Sequence, residues 1–169
     1  MRTLMVCCLI VMTGILAFAQ ASSDWQVFRG ASFKVDYPPN FALRMSLVNP
    51  TFSDFYISAF FISPDKTVEF YVYSFDGEGE ATDIALDTLT EVLVARTKQV
   101  IKKPAKVIRR MTFKAKNGSY IKSYEDTEYA DSGRLVLGLK YKDKKTYEKY
   151  KADYLKFKKS YAVESNIGD

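Results

Sequence analysis

The 169-residue chain contains no histidine, and its two cysteines, Cys7 and Cys8, both lie close to the first residue. Imidazole bases and histidine metal ligands are therefore excluded throughout, and thiol chemistry and disulfides are excluded beyond residue 8. Glycine-rich phosphate loops, nucleophile elbows and dinucleotide fingerprints are missing as well. A serine or tyrosine nucleophile would have only lysine as its base. Carboxylates do cluster at Glu125, Asp126 and Glu128, but alternation along a strand puts Glu125 and Asp126 on opposite faces. These absences predict a protein that is not an enzyme and carries no cofactor.

The first 21 residues have the three parts of a secretory leader. Met1-Arg2 is a short positive start, Leu4 to Phe18 is nearly all apolar, and Ala19-Gln20-Ala21 is a small-x-small exit. Cys7 and Cys8 sit near the start of the apolar run, whereas a lipid-acceptor cysteine belongs at its end. An uncleaved anchor would need roughly 17 to 25 apolar residues, and this run is at the short end of that range. The expectation is a cleaved signal peptide over 1–21 and one exported domain over 22–169, periplasmic or secreted. No later run is apolar for long enough to span a bilayer.

What is abundant is aromatic: 12 Tyr and 12 Phe, 15% of the chain with Trp25, a content that argues for a packed core. Charge is distributed unevenly. Residues 22–95 carry 4 basic and 11 acidic side chains, net −7, and residues 96–161 carry 20 and 7, net +13. Such asymmetry can mark an anionic partner, although solvated faces of amphipathic elements account for the same pattern. Nucleic acid is not expected as a partner of an exported protein.

Ser32 to Tyr37 alternates Phe33, Val35 and Tyr37 with Lys34 and Asp36, the period of a half-buried strand, and Pro38-Pro39 ends it. Phe41 to Leu47 reads as a short strand or turn. Asp54–Ser63 and Thr67–Ser74 flank Pro64-Asp65-Lys66 and form a hairpin whose first strand is apolar on both faces, hence central in a covered sheet. Over Thr82–Lys103, Leu86, Leu89, Leu93 and Val100 fall near one stripe, with acidic residues before it and Lys98, Lys102 and Lys103 at its end, predicting a helix stopped by Pro104. Ala105–Ala115 and Ser119–Tyr129 are strands around Asn117-Gly118, a turn suited to positive φ. After Ser132-Gly133 another strand spans Arg134–Lys142. A closing helix over Lys144–Tyr161 steps through Tyr147, Tyr150, Tyr154, Phe157 and Tyr161. The predicted class is α+β, a mainly antiparallel sheet with helices on both faces.

Three stretches resemble the PsbP-like family of extrinsic photosystem subunits and exported bacterial domains. Phe33-Lys34-Val35-Asp36-Tyr37-Pro38-Pro39-Asn40-Phe41 is similar to its opening F-x-V-x-Y-P-x-x-F/W pattern. The hairpin of Phe60 to Phe75, leading into the expected long helix, is similar to the family's corresponding stretch. Tyr147 to Tyr161, ending in Ser160-Tyr161, resembles its terminal helix and S-F/Y stop. The resemblance implies an α/β/α sandwich that acts through protein partners without catalysis. The photosynthetic subunit's metal-binding histidines have no counterpart here.

Lys102, Lys103, Lys106, Arg109 and Arg110 form the densest basic run and are the candidate partner-binding residues. Strand alternation sends Arg109 and Arg110 to opposite faces, and an internal ion pair would explain either one. Asp76-Gly77-Glu78-Gly79-Glu80 presents oxygen ligands, but its spacing departs from a calcium loop, so no metal is expected. The tyrosine–lysine pattern of the last helix fits core packing with solvated lysine heads better than a membrane surface. The functional expectation is an exported, non-enzymatic binding or assembly domain for a protein or envelope component, anionic if the charge asymmetry is used. The alternative is a small-molecule or glycan binder using tyrosines of the 119–129 strand.

Overall fold

A computed structural model describes residues 24–164, apart from 52, 78, 131 and 132. The leader expected over 1–21 lies outside the described residues, as do Glu78 of the acidic loop and Ser132 of the last expected turn. In chain order the strands are β1 (Gln26–Arg29), β2 (Phe33–Tyr37), β3 (Ala42–Met45), β4 (Ser58–Ile62), β5 (Val68–Phe75), β6 (Glu91–Lys102), β7 (Ala105–Ala115), β8 (Ile121–Tyr129) and β9 (Arg134–Tyr141). Helix α1 (Lys144–Ser160) and the two-residue β10 (Ala162–Val163) follow. Seven strands make one sheet in the order β3-β4-β5-β9-β8-β7-β6, and β1-β2-β10 make a small second sheet. Neighbouring strands are antiparallel throughout.

Alternation in β5 and β9 sends Phe70, Val72, Leu137 and Leu139 to one face of the large sheet, where α1 and the small sheet cover them. Phe157 of α1 is fully buried there, its ring 5.3 Å from those of both Phe61 and Phe70. Asp143 caps the helix by accepting the Thr146 N–H at 2.8 Å. At its other end the Ser160 hydroxyl accepts the Asp36 N–H at 2.8 Å, and Tyr161 stacks on Phe33. The Ser160-Tyr161 stop thus fastens α1 to β2.

The opposite face buries Phe60, Tyr71, Tyr73, Tyr124 and Val136. Its cover is a loop, with one 3-10 turn at Thr82–Ile84, held down by Asp83. That carboxylate accepts from the Ser58 hydroxyl at 2.7 Å and from the Tyr71 hydroxyl at 2.6 Å. Burial and this anionic acceptor together push the Tyr71 phenol far above its ordinary pKa.

The helix expected over Thr82–Lys103 is therefore corrected to a 3-10 turn, a loop and the twelve-residue strand β6. Leu89 is 84% exposed and Val100 65%, so neither faces a core. Val92, Val94, Thr97, Val100 and Ile101 favour an extended chain, and pairing with β7 along its full length supplies the hydrogen bonds. Lys103-Pro104 connects the two strands as a turn, so Pro104 marks a hairpin and not a helix stop. Helices on both faces reduce accordingly to α1 on one face, the only α-helix among the described residues. That helix is not long and apolar enough to cross a membrane.

Candidate partner-binding surface

The five basic candidates separate into two groups. Lys102 and Lys103 stand exposed at the tip of the β6–β7 hairpin, and Lys106 sits beside it with its ammonium 5.8 Å from the Tyr129 ring centre. Arg109 and Arg110 lie deeper and point to opposite faces, as alternation requires. Arg110 donates to Glu125 at 2.8 Å on the helix-covered face, where Glu125 also accepts from Lys158 of α1 at 3.1 Å. Arg109 lies 2.7 Å from Glu128 and 3.7 Å from Asp126 on the other face.

The sequence leaves an internal ion pair open for either arginine, and the turn chemistry identifies the acidic residues opposite them. A hairpin centred on Asn117-Gly118 pairs Arg109 with Asp126 and Arg110 with Glu125, the register observed. Gly118 has the positive φ, 75°, that this turn demands.

On the Arg109 face a cleft of about 800 Å³ opens between β6–β9 and the covering loop, lined among others by Gly79, Arg96, Arg109, Asp126, Glu128 and Arg134. Its charges are largely matched. Asp126, 2% exposed, accepts from Arg134 through both oxygens, at 3.0 and 3.1 Å. Arg134 donates in addition to the Gly79 carbonyl at 2.9 Å, fixing the loop over the sheet. The hydrogen bond from Arg109 holds the Glu128 carboxyl below its ordinary pKa, and the bond to Asp126 raises that of Arg134. Outside the cleft a second buried pair joins Lys122 and Glu91 at 2.6 Å, and Tyr120 donates to Glu91 at 2.7 Å. Burial and Glu91 push the Tyr120 phenol up to about 12. Of the tyrosines considered for ligand binding, Tyr124 is buried and Tyr120 is engaged with Glu91. Among the described residues no group of three His, Cys, Asp or Glu side chains could hold a metal ion.

What stays unmatched is the outer edge. Residues 92–100 of β6 are all exposed. Arg96, Lys98, Lys102 and Lys103 make no ion pair with any described residue. Arg96, Lys98, Val100 and Lys102 project on the cleft side, opposite Met111, Arg109, Val107 and Ala105. Sequence reasoning missed Arg96 and Lys98 because it placed them on a helix. The alternation Arg-x-Lys-x-Val-x-Lys over 96–102 was the signal for a strand with one basic face.

No protein-family model and no curated protein matches the chain. Among solved structures it is similar to the solution structure of cyanobacterial PsbP (CyanoP) from Synechocystis sp. PCC 6803. The TM-score is 0.51 at 9% identity, over 86% of this chain and 95% of that one. A crystal structure from Bacteroides thetaiotaomicron matches over 85% of this chain and 49% of that one, at 13% identity and a TM-score of 0.47. The fold is PsbP-like: a mainly antiparallel sheet with one packed helix.

Proposed function

We propose that the chain is an exported domain that binds a protein or envelope partner and catalyses no reaction. The observation that carries this reading is the division of charge just described. The ionisable groups in that cleft are mostly spent on one another, whereas the β6–β7 ribbon offers unpaired cations to solvent. A catalytic acid or base would need a pKa near the working pH, and the cleft carboxylates Asp126 and Glu128 are committed to guanidinium partners. The PsbP-like resemblance supports the same reading, because that family works through protein partners, and the leader supports export.

The test is affinity capture from the envelope fraction with the exported chain as bait, followed by binding of the purified candidate at about 0.15 M salt, where charges are screened beyond roughly 8 Å. The expected result is one saturable partner and an exported form beginning at Ser22. An intact Met1, or no partner that binds once purified, would count against it.

A further inference from the structure

The two edges of the large sheet are treated differently. β3 ends one side after four residues, and the Arg44 guanidinium stacks on Phe60 there, 3.9 Å from the ring centre. Natural sheets blunt an edge by shortness or cover. β6 ends the other side with twelve residues and no covering element among the described residues. Its ladder to β7 shifts register between Leu93 and Ala95, then runs unbroken from Ala95 to Lys102. Along that stretch alternate residues turn their N–H and C=O groups away from β7, a row of donors and acceptors at the strand spacing.

Charge selects what could pair there. One face of the stretch carries Arg96, Lys98 and Lys102 around Val100; the other carries Ala95, Thr97, Gln99 and Ile101, which are uncharged. A second copy of this chain is a poor occupant. Antiparallel self-pairing centred on Arg96 or Lys98 sets that residue against itself, and centring on Thr97 sets Arg96 against Lys98. Like charges directly opposite are destabilising.

We propose that the β6 edge over Ala95–Lys102 takes up an acidic, extended segment of a partner protein as an additional strand. Main-chain hydrogen bonds would provide the attachment, as in other strand additions. Carboxylates alternating along the incoming strand would meet Arg96, Lys98 and Lys102, and its intervening residues would lie over Thr97 and Ile101. The cations thus serve two ends, opposing self-association and selecting an acidic strand. This proposal rests on the binding-domain reading above and adds where and how the partner attaches.

The probe is a fluorescein-labelled ten-residue peptide alternating glutamate with valine, titrated into the exported chain. Controls are a lysine–valine peptide and a block peptide of the same glutamate and valine content. The glutamate–valine peptide should bind at least about tenfold tighter than either control, the yield of a few cross-strand charge pairs. It should slow amide exchange within Ala95–Lys102, and Arg96→Glu with Lys98→Glu should reverse the peptide preference. Lys98→Gln with Lys102→Gln, a milder change, should weaken binding in proportion, and circular dichroism confirms that each variant folds. Equal binding of the block peptide, protection elsewhere, or no protection at about 1 mM peptide would overturn the proposal. So would displacement of the peptide by phosphatidylglycerol vesicles, or a dimer dispersed by the charge reversal. A purified partner that binds wild type and the reversal variant equally would sink strand addition yet leave the binding-domain reading standing. Absence of any partner, with the peptide still pairing, would sink that reading instead.

Discussion

Arg134 grips Asp126 from two residues along the antiparallel neighbour of its own strand, Nε to Oδ1 at 3.0 Å and Nη2 to Oδ2 at 3.1 Å. Asp126 is 2% exposed, so its charge depends on this contact and on Arg109, 3.7 Å away. Removing one partner of a buried pair typically costs about 3–5 kcal/mol, because the other charge is left uncompensated. Arg134→Ala should fall near the lower end, about 3 kcal/mol, since Arg109 remains. Urea unfolding measures it. Replacing both residues, with Arg134→Met and Asp126→Leu, should recover most of the loss, and a double variant no better than the single one would refute the pairing.

The observed loop and the expected helix over residues 82–103 differ most at Leu89, which precedes β6. In the structure it is exposed, so Leu89→Ala should change stability by less than about 0.5 kcal/mol. Phe157→Ala empties a site ringed by Phe61, Phe70 and Tyr154 and should cost about 3–5 kcal/mol. Thermal or urea melts compare them directly. A Leu89→Ala loss as large as that of Phe157→Ala would restore a buried helix there.

Asp65 ties the β4–β5 turn to α1. Its carboxylate accepts from the Ser63 hydroxyl at 2.6 Å, the Thr67 hydroxyl at 2.8 Å and Lys149 at 3.2 Å. The Ser63 and Thr67 hydrogen bonds hold its pKa well below the ordinary carboxylate range. A depressed folded-state pKa contributes stability that is fully present above the unfolded value, about 3.9, and is lost as pH falls through the folded one. Asp65→Asn should therefore be less stable than wild type at pH 7, by a gap that narrows progressively below about pH 4. Unfolding midpoints across that range test it, and a gap independent of pH would contradict the assignment.

Much of the fold could be read where local chemistry and tertiary pairing agree. Phe33-x-Val35-x-Tyr37 is a strand because its pleat buries those three side chains, and Asn117-Gly118 is a turn because Gly118 needs its positive φ. The closing helix follows from Tyr150 and Phe157, one apolar stripe on a segment of good helix formers. Residues 82–103 misled for a physical reason. Leu86, Leu89, Leu93 and Val100 have helical spacing, yet a hairpin with β7 gives the segment partners that spacing alone does not reveal. The candidate site suffered with it, because Arg96 and Lys98 acquire a common face only once β6 is extended. The separation of Arg109 from Arg110 was legible from strand alternation, while the burial of Asp126 depends on the loop packed above it through Arg134 and Gly79.

The strand order also fixes which pairing spans the longest stretch of chain within the large sheet. β6, β7, β8 and β9 join in succession through short turns, so each of their ladders closes a small loop. β9 then lies beside β5, bringing Phe75 against Arg134 and Val68 against Tyr141. Among the described residues that seam is the one strand pairing that joins the early hairpin to the late meander, across everything from the covering loop to β8. Its closure carries the greatest entropic cost in the sheet, and topology of this kind slows folding more than it lowers stability. A four-strand meander that can assemble from neighbours, waiting on one distant zip to β5, is the folding order this arrangement favours.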